Sequence, residues 1–118
     1  MKISKLSEMA HSNARDKGFW DDFDIILKMI HNEDFDADEV EAVKQAFFCQ
    51  KLILIISEIC EGVEGLRKFD YENFEEEIAD TFIRLGDFTG GLNIDIEQEV
   101  EQKMKVNQER PPKHGKGF

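Results

Sequence analysis

Cations, prolines, cysteines and long apolar runs are all scarce in this 118-residue chain, and each shortage closes off a class of protein. Fifteen Lys and Arg stand against 26 Asp and Glu, a net charge of −11 with a pI near 4.6. A grip on a nucleic acid polymer is not expected, because that binding runs on counterion release by clustered cations. An acidic protein still holds a polyphosphate when divalent cations lie between its carboxylates and the ligand. Cys49 and Cys60 cannot build a disulfide framework. On one helix their eleven-residue separation is roughly 16 Å along the axis, so they read as buried thiols of a reducing compartment. The N-terminal stretch MKISKLSEMAHSNARDKG has no continuous apolar segment of a secretory leader. The most apolar stretch, Ala46 to Cys60, is interrupted by Gln50, Lys51, Ser57 and Glu58 and is too short to cross a bilayer. The expectation is a cytoplasmic chain with no membrane partner.

Period-two alternation is also missing, and both prolines fall at 111–112. What remains is helical patterning, which predicts an all-α fold of four to five helices in one domain over residues 1–118. Ile3, Leu6, Met9, Ala10 and Ala14 have amphipathic spacing, and Gly18 stops that first helix. Phe19 to Asp22 reads as an aromatic connector, followed by a short helical segment from Phe23 to His31. The acidic loop Asn32–Glu39 can cap a long third helix, or a kinked pair, that runs to Lys68. Phe69–Asn73 breaks it, and a fourth helix is expected over Phe74–Thr89, closed by Gly90-Gly91. Asp95 with Gln98 resembles a capping box for a fifth helix that ends before Pro111. Residues 111–118 form a tail without a core-forming pattern. Phe47, Phe48, Leu52 to Ile56 and Ile59 cover more than one stripe of the third helix. A helix apolar on most sides must be surrounded, so self-association is expected.

Charge is unevenly distributed. Residues 103–118 hold Lys103, Lys105, Arg110, Lys113 and Lys116 against Glu109, a net of +4, which leaves −15 on the rest. On the third helix, Glu58 and Glu61 are three residues apart, as are Glu77 and Asp80 on the fourth. Carboxylates at that spacing lie about 60° apart on a helix, one turn along. Ile59-Cys60 and Ile78-Ala79 lie between them, so each pair sits at the border of a buried face. Glu at this spacing is common on helix surfaces, but two such pairs on consecutive helices can converge. Four converging carboxylates repel strongly unless a cation neutralises them, and an all-oxygen set suits Mg²⁺ or Mn²⁺. Glu64, Glu75, Glu76 and Asp87 read as solvated or supporting groups. His11 follows Glu8 at i+3, the spacing of di-iron bundles, but neither His31 nor His114 has such a carboxylate, and that reading fails.

Glu58-x-x-Glu61, fifteen residues, then Glu77-x-x-Asp80 resembles the metal-binding signature of the MazG-like all-α NTP pyrophosphohydrolases. Ser57 stands where that family usually has another Glu. Ala14-Arg-Asp-Lys-Gly-Phe-Trp20 is similar to the family's turn after its first helix, and Lys51–Glu58 to its apolar lead-in. Lys103-Met-Lys-Val-Asn107-Gln-Glu-Arg110-Pro-Pro-Lys113-His114-Gly is similar to its C-terminal element. Residues 21–45 have no such match. The resemblance implies a homodimer or homotetramer and Mg²⁺-dependent cleavage (Mn²⁺ as an alternative) of a nucleoside triphosphate to monophosphate and pyrophosphate. Glu58, Glu61, Glu77 and Asp80 would hold the metal; Glu61 or Glu64 could take the water's proton. Phe19 and Trp20 would stack on the base, although without the resemblance they read as a packed pair. Lys103, Asn107 and Arg110, which share a helix face, would meet phosphate or sugar with Lys113 and His114. A non-catalytic helical interaction protein, and a pyrophosphatase of phosphoribosyl-ATP or dUTP, stay open as alternatives.

Overall fold

A computed structural model describes residues 1–118 and contains five α-helices and no strand: α1 (Ile3–Asp16), α2 (Asp21–His31), α3 (Ala37–Arg67), α4 (Tyr71–Gly91) and α5 (Ile96–Gln108), then a short 3₁₀ turn at Pro112–Gly115. α3 is one uninterrupted helix of 31 residues. Asp36 starts it with a full capping box: its carboxylate accepts from Glu39 N at 2.8 Å, and Glu39 Oε1 accepts from Asp36 N at 3.4 Å. The hydrogen bond from the Glu39 backbone holds the Asp36 carboxyl below its ordinary pKa. α3 and α4 form an antiparallel hairpin, α1 packs along α4, α2 leans on α3, and α5 touches α1.

Three helix ends share one backbone device and fill it with different residues. After α1 the left-handed position is Gly18 (φ 83°), after α3 it is Phe69 (φ 58°), and after α4 it is Asn93 (φ 55°). Each time the following amide reaches back to the carbonyl five residues earlier: Phe19 to Ala14, Asp70 to Gly65, Ile94 to Thr89. Glycine and asparagine suit that conformation, but phenylalanine does not. Phe69 is also 80% exposed, so little packing offsets the strain. Phe69→Gly is therefore expected to stabilise the chain by about 1 kcal/mol. Urea unfolding checks this; a lowered midpoint would show that the Phe69 ring makes a stabilising contact.

The fourth helix passes through Gly90-Gly91 rather than stopping before them, and the reason lies across the α1–α4 seam. A Cβ on Gly91 would overlap the Trp20 indole, and one on Gly90 would come within 2.7 Å of the His11 Cβ. These glycines are spaces for neighbours, not helix terminators. The same seam is lined by Ser7, whose Oγ donates to Gly86 O at 2.8 Å, and by Thr89.

Trp20 is the most deeply buried large side chain, 1% exposed. Its Nε1 donates to Asp87 Oδ1 at 2.7 Å, and His11 Nδ1 lies 2.9 Å from the same oxygen. Arg15 Nε donates to His11 Nε2 at 3.0 Å, which leaves the imidazole proton on Nδ1 to be given to Asp87. An aromatic chain from Trp20 through Phe23 to Phe47, Phe48 and Phe88 then ties α2 to α3 and α4.

Little else is buried. Only ten residues are sequestered, and the accessible surface is 9141 Å². A folded monomer of 13.7 kDa exposes roughly 6,600 Å². The radius of gyration, 17.7 Å, likewise exceeds the roughly 13.5 Å of a compact chain this long. Cys49 and Cys60 are exposed rather than buried, because they lie on the uncovered side of α3. On that side Leu52, Ile56, Ile59, Val63 and Leu66 recur at alternating spacings of four and three. Ile78, Phe82 and Leu85 continue the pattern on α4, and all eight are between 38% and 61% exposed. The adjacent face of α3, about 100° round the helix, carries its buried residues Ile55, Glu58, Gly62 and Gly65, of which the last three meet α4. The long helix thus has two seams, one filled by its own chain and one open. No helix is long and apolar enough to cross a membrane.

Candidate metal centre

The α3–α4 hairpin brings Glu58, Glu77 and Asp80 together, with one carboxylate oxygen of each within 4.8 Å of the others. Glu77 and Asp80 are three apart on α4 and share its α3-facing side. Gly62 faces α4 there, and a Cβ on it would be in ordinary van der Waals contact with the Glu77 Cβ at 3.6 Å. Glu58 is buried, and its Oε1 accepts from Arg84 Nε at 2.6 Å. Glu77 Oε2 is buried and has no hydrogen-bond partner. Glu61 does not join the point of closest approach. It is exposed at the rim, one turn further along α3, close enough for its carboxylate to act on both Glu58 and Glu77.

The electrostatics follow from this crowding. The Glu77 carboxyl is raised to about 7, first by sharing a hydrogen bond with Glu58, then by burial and by the charges of Glu61 and Glu58. Burial works against ionisation of Glu58 as well, but hydrogen bonds from Glu77 and Arg84 outweigh it and hold that carboxyl low. Without a cation the crowding thus favours a proton on Glu77 over one on Glu58.

A pH effect of definite sign results. Glu77 binds its proton more tightly folded than unfolded, so this contribution to stability is fully present below its unfolded value of 4.5. It declines as pH rises towards 7. Metal-free protein should lose stability relative to Glu77→Gln between pH 4.5 and 7, and the two should run parallel above that. Chemical denaturation in EDTA across this range measures it. A difference that grows in the other direction would mean that Glu77 is ionised in the folded chain.

The donor set fits a hard divalent cation such as Mg²⁺ or Mn²⁺. All its donors are oxygens, one buried oxygen is without a partner, and a proton must otherwise relieve the repulsion. Beside the carboxylates lies a cavity of about 450 Å³ between α1, α2, α3 and α4. Phe19, Phe23, Phe47, Leu54, Ile83 and Phe88 form its apolar walls. Asn13, Asp22, Gln50, Lys51, Arg84 and Asp87 are among its polar members, with Glu58 and Asp80 from the carboxylate cluster. Lys51 Nζ lies 4.1 Å above the Trp20 ring and donates to Phe19 O at 3.1 Å. Burial lowers the pKa of that ammonium.

The expected ligand residues divide. Phe19 lies at the cavity and is 64% exposed. Trp20 is not available to stack on a base: His11, Phe23 and Lys51 surround its ring, and it holds Asp87 as part of the core. Lys103, Asn107, Arg110, Lys113 and His114 are all exposed, and none lines the cavity. The turn at Asn93 sends α5 onto α1, where Glu97 Oε1 accepts from Ser4 Oγ at 3.0 Å. Arg110 faces His114, with Nη1 3.0 Å from Nδ1, and not the carboxylates. Within the chain the basic element lies outside the cavity and makes no hydrogen bond to the acidic site.

Arg84 escaped the motif reading, whereas Asp87, read as a solvated or supporting group, does support the core by accepting from Trp20. The signal for Arg84 was present: it lies seven residues after Glu77 and four after Asp80, on the same helical face. No protein-family model, curated protein or solved structure matches the chain.

Proposed function

We propose that this chain is a divalent-cation-dependent nucleoside triphosphate pyrophosphohydrolase of the MazG-like kind, which releases a nucleoside monophosphate and pyrophosphate and clears nucleotide pools in the cytoplasm. One observation carries the reading: Glu58, Glu77 and Asp80 converge, one buried Glu77 oxygen there has no partner, and Glu58 and Asp80 also line a cavity large enough for a nucleoside. Bound Mg²⁺ would supply charge neutralisation on the phosphates and a water acidic enough to attack phosphorus near neutral pH. Glu58, Glu77 and Asp80 would hold it. Glu61, exposed beside them, or Glu64 one turn further on would receive a proton from that water. Phe19, Phe23 and Phe88 would offer ring surface to a base, and the polar rim of Asn13, Asp22 and Gln50 hydrogen bonds to its edge.

The working unit is a homodimer or a larger homo-oligomer that buries the open seams of α3 and α4. The surplus surface of the single chain and the four–three spacing of its exposed apolar residues support this. Titration with Mg²⁺ and a release screen over the ribo- and deoxyribonucleoside triphosphates, dUTP included, test the proposal. Pyrophosphate release that requires the metal is the expected result. Tight Mg²⁺ binding with no turnover of any triphosphate would favour a non-catalytic metal-binding module.

A further inference from the structure

We infer that Arg84, held by Glu58, grips the phosphate that adjoins the nucleoside, the one retained in the monophosphate product. This deepens the nucleotide reading and rests on it. The guanidinium lies between two surfaces of opposite character. On one side its Nε donates to Glu58 Oε1 at 2.6 Å; on the other it lines the cavity with Ile83 and Phe88. Nε is the only nitrogen of this side chain with a protein acceptor, so Nη1 and Nη2 keep their donors free, on a side chain 39% exposed. A guanidinium pinned through Nε presents the Nη pair in a fixed fork, the geometry that matches two oxygens of one phosphate.

The competing cations are already engaged. Lys51 gives its ammonium to the Phe19 carbonyl and the Trp20 face. Arg15 is tied to His11 and Asp24. The cations of α5 and the tail lie away from the cavity. A nucleoside seated in the cavity would bring its first phosphate to Arg84 as it approached the carboxylates, since Arg84 is bonded to Glu58 and lines the cavity together with Glu58 and Asp80. A contact to that phosphate predicts an equal loss for ligands of any phosphate number when Arg84 is replaced. A contact to the outer phosphates predicts a loss that grows with their number.

The full-length chain is titrated first with Mg²⁺ alone. It is then titrated, in saturating Mg²⁺, with the four deoxynucleoside monophosphates and the matching α,β-imido triphosphates. Arg84→Gln should weaken mono- and triphosphate by the same factor, about tenfold to a hundredfold, the size of lost hydrogen bonds to a charged group. Mg²⁺ affinity should stay within about threefold, and Arg84→Lys should recover part of the loss because charge survives while the fork does not. If Arg84→Gln fails to fold, Arg84→Lys carries the test, with a smaller loss that is again equal for both ligands. Unchanged monophosphate binding with weakened Mg²⁺ binding would overturn the inference and reduce Arg84 to a support for Glu58. A loss confined to the triphosphates would overturn it too. Wild-type protein that binds Mg²⁺ but no nucleotide would remove the nucleotide reading itself, a failure distinct from one confined to Arg84.

Discussion

Glu58→Gln and Asp80→Asn should each reduce pyrophosphate release by on the order of a thousandfold while the chain still folds. The loss follows from the donor set. An amide offers one weaker oxygen in place of an anionic one, and with three carboxylates at the point of convergence there is no spare ligand. Folding should be retained for a separate reason: the crowded carboxylates repel one another, as the raised Glu77 carboxyl shows. Removing one charge relieves that repulsion. Asp80 is exposed and makes no hydrogen bond to protein, so Asp80→Asn should be neutral or mildly stabilising without metal. Glu58→Gln leaves Arg84 without its anion, and its stability gain should be the smaller of the two. Steady-state rates in Mg²⁺, read beside thermal melts in EDTA, check both halves. Variants as active as the wild type, or equally active with and without EDTA, would contradict the metal site.

The second large effect concerns assembly. Wild-type protein should travel as a dimer or larger at low micromolar concentration, and Ile56→Asp or Phe82→Asp should convert it to a 13.7 kDa species. Both residues lie on the open seams and more than half of each side chain is exposed in the single chain. Covering them would remove part of the surplus of about 2,500 Å² over a typical monomer of this mass, an area that matches a permanent interface. An aspartate there must be desolvated without a partner, and symmetry imposes the change twice, so association should weaken by on the order of a thousandfold. Multi-angle light scattering distinguishes the species. A wild-type monomer at that concentration would contradict the expectation, and the apolar seams would then need another cover.

The helices were legible because their signals are local. The Asp36–Glu39 box, the stop at Gly18 and the 3.6-residue periodicity act within a few residues of each other. The carboxylate pairs were legible for the same reason, since spacing alone orients them on each helix. Misreadings arose where distant residues decided. Gly90-Gly91 looked like a terminator, but Trp20, some seventy residues away in the sequence, explains why no side chain fits there. Trp20 was given to a ligand only by the resemblance; the residues themselves read as a packed pair, and His11 and Asp87, the latter distant in sequence, enclose it. Cys49 and Cys60 were placed inside on the usual burial of free thiols, whereas they lie on the side of α3 that the single chain leaves open. The basic face of α5 was real as a pattern, but pattern gives a direction on a helix and not the helix's neighbour. Arg84 shows the converse: its i+4 and i+7 relation to the acidic pair was readable and was passed over for the more conspicuous cations of the tail.

Hydrolysis of a deoxynucleoside triphosphate in ¹⁸O-labelled water with Mg²⁺, followed by mass analysis of both products, tests the central claim most directly. Attack by a metal-activated water on the phosphorus next to the nucleoside predicts one ¹⁸O in the monophosphate, none in the pyrophosphate, and no products in EDTA. Label in the pyrophosphate, or a diphosphate with orthophosphate in place of these products, would contradict it.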